Sequence, residues 1–340
     1  MTKFINANSV NIWRSVLEEI NIFVKTDIYY EINYIKNFLK KDSIIKGFIY
    51  KEDNKSFFLP IIISKIPNEK KIYDFETVYG YSGPLVNNDS ISFINKALEK
   101  FFVELKKNRI IAGLIRFHPF ISNHKHIIEN EKIKILLAKK IVYMDRRIDD
   151  INLSKNAVRN IKKSIKHDIK FDSKSTKSNI KHFYTLYNSL MKKKLAEEMY
   201  NFDEEYFLNI FRNNKDKIFI KLAIIENKVL GGIIFSVYNN YLNILLSATS
   251  DEGLKIGVAY SLRNEVINSY NNKIINFGGG ISNRDDDALL VYKKNFSNKT
   301  KNFYIGKIIT DEKIYYSLIK NWDMDKFDSP YKNYHLKYRY

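Results

Sequence analysis

The 340-residue sequence contains no cysteine and no long uninterrupted run of apolar residues. The absence of cysteine excludes disulfides, thiolate zinc sites and cysteine nucleophiles. No segment approaches the roughly 20 apolar residues that a membrane-spanning helix requires, and the first 20 residues lack the apolar core of a signal peptide. We therefore expect a cytoplasmic protein, and peripheral contact with the inner face of an anionic membrane stays open.

Acidic residues are scarce relative to basic ones, with 38 Asp and Glu against 57 Lys and Arg, which gives a formal net charge of +19. Such an excess favours binding to polyanions or to anionic membranes, although a chain rich in Lys, Asn and Ile also becomes basic through composition alone. The segment 154–170 is more informative, because apolar residues recur at helical spacing opposite its cations. Its basic residues are Lys155, Arg159, Lys162, Lys163, Lys166 and Lys170.

The composition otherwise describes a folded protein, since 45% of residues are hydrophobic and 14% are aromatic. The length fits two domains of ordinary size. Both halves repeat an order of helices, a hairpin or strand meander, a helix and a further strand, so the pattern predicts two tandem mixed α/β domains. A polar break over 149–154 places them at 1–150 and 151–340.

Individual elements follow from periodicity and from Gly, Pro and Asn punctuation. Helices are predicted over 12–17, 29–39, 91–107, 155–166, 179–213, 257–269 and 286–296. Strands are predicted over 44–50, 56–63, 73–78, 110–117, 134–144, 218–226, 229–238, 241–248, 274–277 and 303–309.

Three of the 12 glycines stand together as Gly278, Gly279 and Gly280, at the end of a predicted buried strand. Residues without Cβ let a substrate approach the backbone closely, and they also permit a tight turn between a strand and a helix. The aspartates at 285–287 then fall at the start of the next helix, where one of them is expected to cap free amide groups.

Several segments together resemble the successive blocks of the FemAB-like acyltransferases, tandem-domain relatives of the GNAT N-acyltransferases. They occur in family order, and their joint occurrence is far more specific than any one of them. The segments are YGYSGP (79–84), RFHPF (116–120), VRNIKKS (158–164), FYTLYNSLMKKKLAEEMYNF (183–202), GGG (278–280) and DDALLVYKKNF (286–296).

The resemblance implies two GNAT-like domains, each a mixed, mostly antiparallel sheet flanked by helices, and transfer of an acyl or aminoacyl group to an amine. It places Asp287 near the acceptor, where a carboxylate could hold an ammonium group or help to remove its proton. It matches Lys293 to the lysine of an aromatic–Lys pair. A cation there would stabilise the negative charge that develops on the carbonyl oxygen, or would bind a donor phosphate.

The donor remains open between acyl-CoA and aminoacyl-tRNA, each as a co-substrate, and no permanently bound cofactor or metal is expected. Gly257 and Ala259 match half of the loop with which GNAT enzymes bind a pyrophosphate, but Leu254 stands where Arg or Gln is usual. This departure leaves room for aminoacyl-tRNA, whose phosphates Arg159 and its basic helix could contact.

Acceptor-binding candidates come from both halves. The family blocks suggest Tyr79, Tyr81, Arg116 and His118 from the first half, and Tyr200 and Phe202 from the second. Tyrosines stack on sugar rings, and Arg recognises phosphate or carboxylate groups. Arg116 and His118 alternate around Phe117 and therefore share one face of a strand.

The sequence thus predicts an N-acyltransferase that acts on the amino group of a nucleotide-linked or lipid-linked sugar in peptidoglycan or surface-polysaccharide synthesis. The alternative is a non-catalytic RNA-binding protein with a basic surface, although no RNP1-like or GXXG motif is present. The sequence does not indicate the acyl group, the acceptor sugar or the oligomeric state.

Overall fold

The computed structural model describes residues 2–127, 130–194, 200–326, 329 and 331–340. The strands are β1 Thr2–Asn6, β2 Ser43–Glu52, β3 Lys55–Lys65, β4 Tyr73–Glu76, β5 Leu85–Val86, β6 Ile110–Arg116, β7 Ile133–Asp145, β8 Lys170–Asp172, β9 Ile218–Ile225, β10 Lys228–Tyr238, β11 Tyr241–Thr249, β12 Ile274–Gly279 and β13 Thr300–Ile309. The helices are α1 Val10–Asn21, α2 Ile32–Ile35, α3 Ile91–Lys107, α4 Lys155–Ile165, α5 Lys177–Lys193, α6 Glu204–Asn213, α7 Asp251–Lys255, α8 Val258–Ser269, α9 Ala288–Lys294 and α10 Glu312–Asp325.

The chain forms two compact units. Unit 1 contains Met1–Ala138 and Asn302–Tyr340, and unit 2 contains Lys139–Lys301. These units differ from the predicted domains 1–150 and 151–340 in two respects. The change of unit lies inside the continuous strand β7, where no turn residue marks it, and β13 from Asn302 onwards belongs to unit 1 together with α10.

Unit 1 has the strand order β1-β2-β3-β4-β6-β13, and β5 pairs with β3. Neighbouring strands are antiparallel except for β4 and β6, which are parallel. Helix α3 covers this sheet because its apolar residues recur every three or four positions, from Phe93 to Leu105. Ser90 caps the helix by accepting a hydrogen bond from the backbone N–H of Phe93.

Unit 2 has the strand order β7-β12-β11-β10-β9-β8, in which only β11 and β12 are parallel. Their pairing runs from Tyr241 opposite Ile274 to Asn243 opposite Asn276 and then ends, although both strands continue. The continuations, residues 244–249 of β11 and 277–279 of β12, no longer pair with each other but still pair with β10 and β7, and we call them the strand wedge.

Both units contain an antiparallel three-strand meander, a helix, and a strand parallel to the last strand of the meander. In unit 1 these are β2–β4, α3 and β6, and in unit 2 they are β9–β11, α8 and β12. The repeat was predicted from the order of elements, and the mixed, mostly antiparallel sheets confirm the predicted fold class. Across the residues given above, no helix combines the length and the apolar character needed to cross a membrane.

Candidate active site

The triple glycine ends β12 and packs tightly against its surroundings. Gly278 has a φ of +77°, a conformation that favours glycine. A Cβ on Gly279 would lie 2.7 Å from Cδ of Lys139, and one on Gly280 would lie 2.4 Å from Oδ1 of Asp287. These contacts and the φ of Gly278 fit the tight turn considered in the sequence analysis, and Gly278 and Gly279 lie on the β12 arm of the strand wedge.

The ammonium group of Lys293 lies against this turn. Lys293 is on α9 and is only 8% exposed, and its Nζ donates a hydrogen bond of 2.6 Å to the carbonyl oxygen of Gly279. A Cβ on Gly278 would approach the same Nζ to 3.2 Å. The lysine and the glycines named from the sequence thus occupy one place in unit 2.

The pKa of Lys293 is lowered to about 7, chiefly because the charged form is poorly solvated where it is buried. The positive charges of Arg263 and Lys139 contribute to this shift, and the negative charge of Asp287 opposes it. Near neutral pH the side chain therefore exists in both the ammonium and the amine form. A lysine of this kind can accept a proton and can also present a positive charge.

Asp287 is the N-cap of α9. Its Oδ1 accepts hydrogen bonds from the backbone N–H groups of Leu289 and Leu290, both at 3.0 Å. Its Oδ2 accepts from Ile281 N, and from both the N–H and the hydroxyl of Ser282. These bonds hold the pKa of Asp287 well below its usual range, with the backbone N–H of Ser282 contributing most. This geometry argues against Asp287 as a general base.

The other two aspartates form exposed ion pairs. Asp285 pairs with Lys140 at 2.9 Å, and Asp286 pairs with Arg284 at 2.6 Å. Exposed pairs of this kind contribute little to stability. Of the three consecutive aspartates, only Asp287 has a structural role in forming the site.

Arg263, on α8, was not singled out from the sequence. It is 3% exposed, and its Nη1 donates a hydrogen bond of 2.6 Å to the hydroxyl of Tyr292. Its Nη2 lies 3.3 Å from Oγ of Ser247, on the β11 arm of the strand wedge. An arginine on an amphipathic helix is ordinarily exposed, so only the fold reveals that this one is buried.

The predicted pyrophosphate loop has structural partners of its own. Gly257 precedes α8 with a φ of +87°, and a Cβ on it would lie 2.4 Å from the carbonyl oxygen of Asn160, on α4. The carbonyl oxygen of Ala259 accepts a hydrogen bond from the hydroxyl of Tyr292. Helix α4 therefore packs directly against the loop that the sequence assigned to the donor.

The exposed face of α4 carries the predicted basic row. A groove of about 600 Å³ runs along it, lined by Leu153, Lys155, Val158, Arg159, Lys162, Lys163 and Lys166. No carboxylate lines the groove, and within the described part of the chain none of its five cations forms an ion pair. The helix starts beside α9, because Oγ of Ser154 donates to Oδ1 of Asn295 at 2.6 Å.

In unit 1, the side chains of Arg116 and His118 form hydrogen bonds with other residues of the protein. Arg116 donates to the carbonyl oxygen of Thr77 and to Glu76, each at 2.8 Å. Nδ1 of the fully buried His118 accepts from the backbone N–H of Ile121, so Nε2 carries the proton and donates to Asp27 at 3.0 Å. Arg116 is the last residue of β6 and His118 lies beyond the strand, and the groups that both side chains bind belong to the protein.

The tyrosines of unit 1 are more accessible. Tyr79 is 39% exposed, and Tyr81 is partly buried with its ring edge-to-face against Tyr29 and Phe303. They are the residues among the unit 1 candidates that a ligand can contact.

Tyr200 and Phe202, in unit 2, are both half-buried. The carbonyl oxygen of Tyr200 accepts a hydrogen bond from Tyr187, and Phe202 stacks on Tyr206 with ring centroids 4.1 Å apart. Part of the family block that contains them, residues 195–199, lies outside the described residues. In the portions of the chain that are described, no three His, Asp or Glu side chains are grouped as a metal site.

Comparison with solved structures agrees with this architecture. FemX matches with a TM-score of 0.70 and 10% identity over 93% of this chain and 99% of FemX. The C-terminal domain of a putative lysylphosphatidylglycerol synthetase from Agrobacterium fabrum matches with a TM-score of 0.56 and 11% identity, over 93% of this chain and 97% of that domain. A tandem GNAT protein of the clavulanic acid biosynthesis pathway matches with a TM-score of 0.54 and 7% identity, over 92% and 99%.

No protein-family model matches the sequence, and no curated protein matches it significantly. At identities of 7–11% the structural likeness establishes the fold. The chain has the fold of FemX and of tandem GNAT proteins, which confirms the fold implied by the sequence resemblance.

Proposed function

We propose that the protein is an N-acyltransferase of cell-envelope synthesis that transfers an acyl or aminoacyl group to the amino group of a sugar-containing acceptor. The observation that carries this proposal is the buried Lys293 ammonium group at the glycine turn beside the strand wedge. The fold shared with FemX and a tandem GNAT protein supports it. The putative lysylphosphatidylglycerol synthetase domain favours aminoacyl transfer over other acyl transfers.

In the proposed reaction, the acceptor amine attacks the carbonyl carbon of an ester or thioester donor. A C–N bond forms, and the carbonyl oxygen gains negative charge, which the Lys293 ammonium group stabilises. The C–O or C–S bond then breaks, and its electron pair leaves with the oxygen or sulfur. In its amine form Lys293 takes the proton that the attacking amine loses, which makes it the ammonium group that stabilises the carbonyl oxygen, and it then gives the proton to the leaving group; a pKa of about 7 suits both transfers.

The basic groove on α4 is the proposed binding surface for the donor's phosphates. Both acyl-CoA and aminoacyl-tRNA carry phosphates, and five cations including Arg159 line the groove without a carboxylate among them. The bonds of Ser154 and Asn156 to Asn295 place the start of this groove two residues beyond Lys293 along α9. A phosphate chain on α4 could thus deliver its acyl end to the lysine.

For the acceptor we retain Tyr79, Tyr81, Tyr200 and Phe202 as ring-stacking candidates, because each is at least partly exposed. The proposed acceptor is an amino-sugar nucleotide or a lipid-linked sugar or peptidoglycan precursor. A lipid-linked acceptor would bring the basic protein to the anionic inner face of the membrane. Arg116 and His118 are assigned to shaping this part of unit 1, since their polar groups are already bonded.

The test is mass spectrometry of purified protein incubated with acyl-CoAs or charged tRNAs together with amino-sugar nucleotides. A mass increase of one acyl group on the acceptor is expected with one donor class. Lys293→Met should lower kcat about 10²- to 10³-fold, the usual loss of an oxyanion-stabilising group. The neighbouring Lys294→Met is the matched control and should retain activity; full activity of Lys293→Met would remove the proposed role.

Nothing in the comparisons favours the non-catalytic RNA-binding alternative. It would gain support if the protein bound RNA tightly, transferred no acyl group from any donor, and lost no binding on mutation of Lys293.

A further inference from the structure

Arg263 is a buried cation whose hydrogen-bond and ring partners are neutral groups. Its guanidinium carbon lies 4.7 Å from the ring centroid of Tyr292 and 5.8 Å from that of Phe296. Its Nη1 and Nη2 bond to hydroxyl groups, and its Nε has no acceptor among the described residues. No described carboxylate pairs with it. A charge kept in a core without a counter-charge is costly to stability, so a functional reason for it is expected.

The hydrogen bonds of Arg263 connect three elements around the strand wedge. From α8 it reaches Ser247, on the β11 arm, and Tyr292, on α9. Tyr292 in turn donates to the carbonyl oxygen of Ala259, back on α8. Its neighbour Lys293 reaches Gly279, on the β12 arm. This chain of contacts joins α9 to α8 and to both arms of the strand wedge.

We propose that Arg263 is a positioning residue of the proposed active site, which holds Tyr292 and through it keeps Lys293 at the strand wedge. The inference rests on the proposed function, in which Lys293 handles charge and protons. The positive charge of Arg263 also lowers the pKa of Lys293, because it disfavours a second cation nearby.

The other charged groups that face Lys293 are Lys139, from β7, and Asp287, at the N-cap of α9. Lys139 acts in the same direction as Arg263, and Asp287 acts in the opposite direction. Asp287 is held by backbone hydrogen bonds, so its charge remains constant across neutral pH. Because Lys139 and Asp287 stay in place, removal of the Arg263 charge changes the electrostatic potential at Lys293 by the effect of that one charge.

The experiment compares Arg263→Gln, which removes the charge, with Arg263→Lys, which retains it. The ionisation of Lys293 is followed by NMR of ¹³C-labelled lysine, with Lys293→Met to assign its signal. We expect Arg263→Gln to raise the pKa of Lys293 by about one, a usual effect of one nearby charge, and Arg263→Lys to leave it nearly unchanged. The apparent pKa of the acid limb of the kcat–pH profile should rise by the same amount.

A folded Arg263→Gln protein with the wild-type Lys293 titration and the wild-type pH profile would overturn the proposal. If the titration moves as expected but the wild-type protein acylates no acceptor, the link between the two residues stands and the proposed function fails. The two failures are therefore distinguishable.

Tyr292→Phe tests the positioning role separately, and it remains available if Arg263→Gln does not fold. It removes the hydroxyl that joins Arg263 to Ala259 but leaves every charge in place. We expect kcat to fall roughly tenfold with an unchanged Lys293 titration, since one misplaced contact can lower the rate by that much or more. A wild-type kcat in this variant would refute positioning through Tyr292.

Discussion

Asp287 and Lys293 lie at opposite ends of the short helix α9, and each has a different partner in the turn that precedes it. The carboxylate of Asp287 accepts hydrogen bonds from the turn at 281–282 and from the first turn of α9, while Nζ of Lys293 donates to Gly279. The aspartate therefore fixes the glycine turn and the helix start, and the lysine approaches the same turn from the helix end. The two residues named as catalytic from the sequence have separate tasks.

Asp287→Ala should lower the free energy of unfolding by about 1–2 kcal/mol, because the cap and its bonds to the glycine turn are lost. Asp287→Asn retains a capping oxygen and should cost less. The measurement is urea unfolding at pH 7, with Asp285→Ala as the exposed control. The folded-state pKa of Asp287 is depressed, so its contribution is present above the unfolded pKa and disappears as the pH falls below about 4. Equal stability of Asp287→Ala and Asp285→Ala would contradict the assignment.

The sequence predicted those elements whose local signals agree with one another. Helix α3 was placed at 91–107, its observed range, because its apolar residues recur at helical spacing. The stretch predicted as one helix over 29–39 is instead a 3₁₀ turn at Ile28–Tyr30, the short α2 and another 3₁₀ turn at Lys36–Phe38. Its tyrosines pack on residues distant in sequence, as in the contact of Tyr29 with Tyr81.

The site was only partly predictable because several partners come from distant segments. Arg116 pairs with Glu76, 40 residues away, and His118 with Asp27, 91 residues away, so spacing could not show that their polar groups are occupied. The burial of Arg263 depends on α8 packing against α9. Helix α10 was not predicted, and it lies in unit 1 although it follows unit 2 in sequence.

Lys293→Met should stabilise the protein at neutral pH by a few kcal/mol. Burial depresses the pKa of Lys293 from 10.5 to about 7, and a difference of one in pKa between the folded and unfolded states corresponds to about 1.4 kcal/mol. For a lysine with a lowered folded-state pKa, the cost is complete below pH 7 and diminishes as pH rises towards 10.5. The difference in unfolding free energy between variant and wild type should therefore shrink between pH 7 and 10. Lys294→Met, at a partly exposed position, should show no such trend.

The affinity for the donor should fall as the salt concentration rises, because the cations of the α4 groove contact the donor's phosphates in the proposed complex. The double variant Lys162→Gln, Lys166→Gln should reduce the slope of log K against log salt by up to about 0.9 per phosphate contact removed. The control is Lys65→Gln, Lys70→Gln, two exposed lysines of unit 1. Filter binding or fluorescence anisotropy with the active donor, between low and physiological salt, gives both slopes. If the two double variants have equal slopes, the donor does not lie along α4.

Arg339→Met should destabilise unit 1 strongly. Arg339 forms a two-pronged ion pair with the fully buried Asp74, and its Nη1 lies 2.7 Å from Glu76, which also binds Arg116. Loss of one partner leaves Asp74 charged and buried, a change that typically costs about 3–5 kcal/mol.

Thermal and urea unfolding should therefore show a large loss of stability for Arg339→Met, and the exposed Lys332→Met should remain near wild type. The two arginines hold the pKa of Glu76 at about 2 against the effect of burial, so its contribution to stability is lost as the pH falls from about 4.5 towards 2. In Arg339→Met the acid transition should begin at higher pH than in the wild type, because Asp74 loses its arginine partner and Arg116 alone then pairs with Glu76. An unchanged acid transition would mean that the C-terminal arginine does not stabilise this cluster.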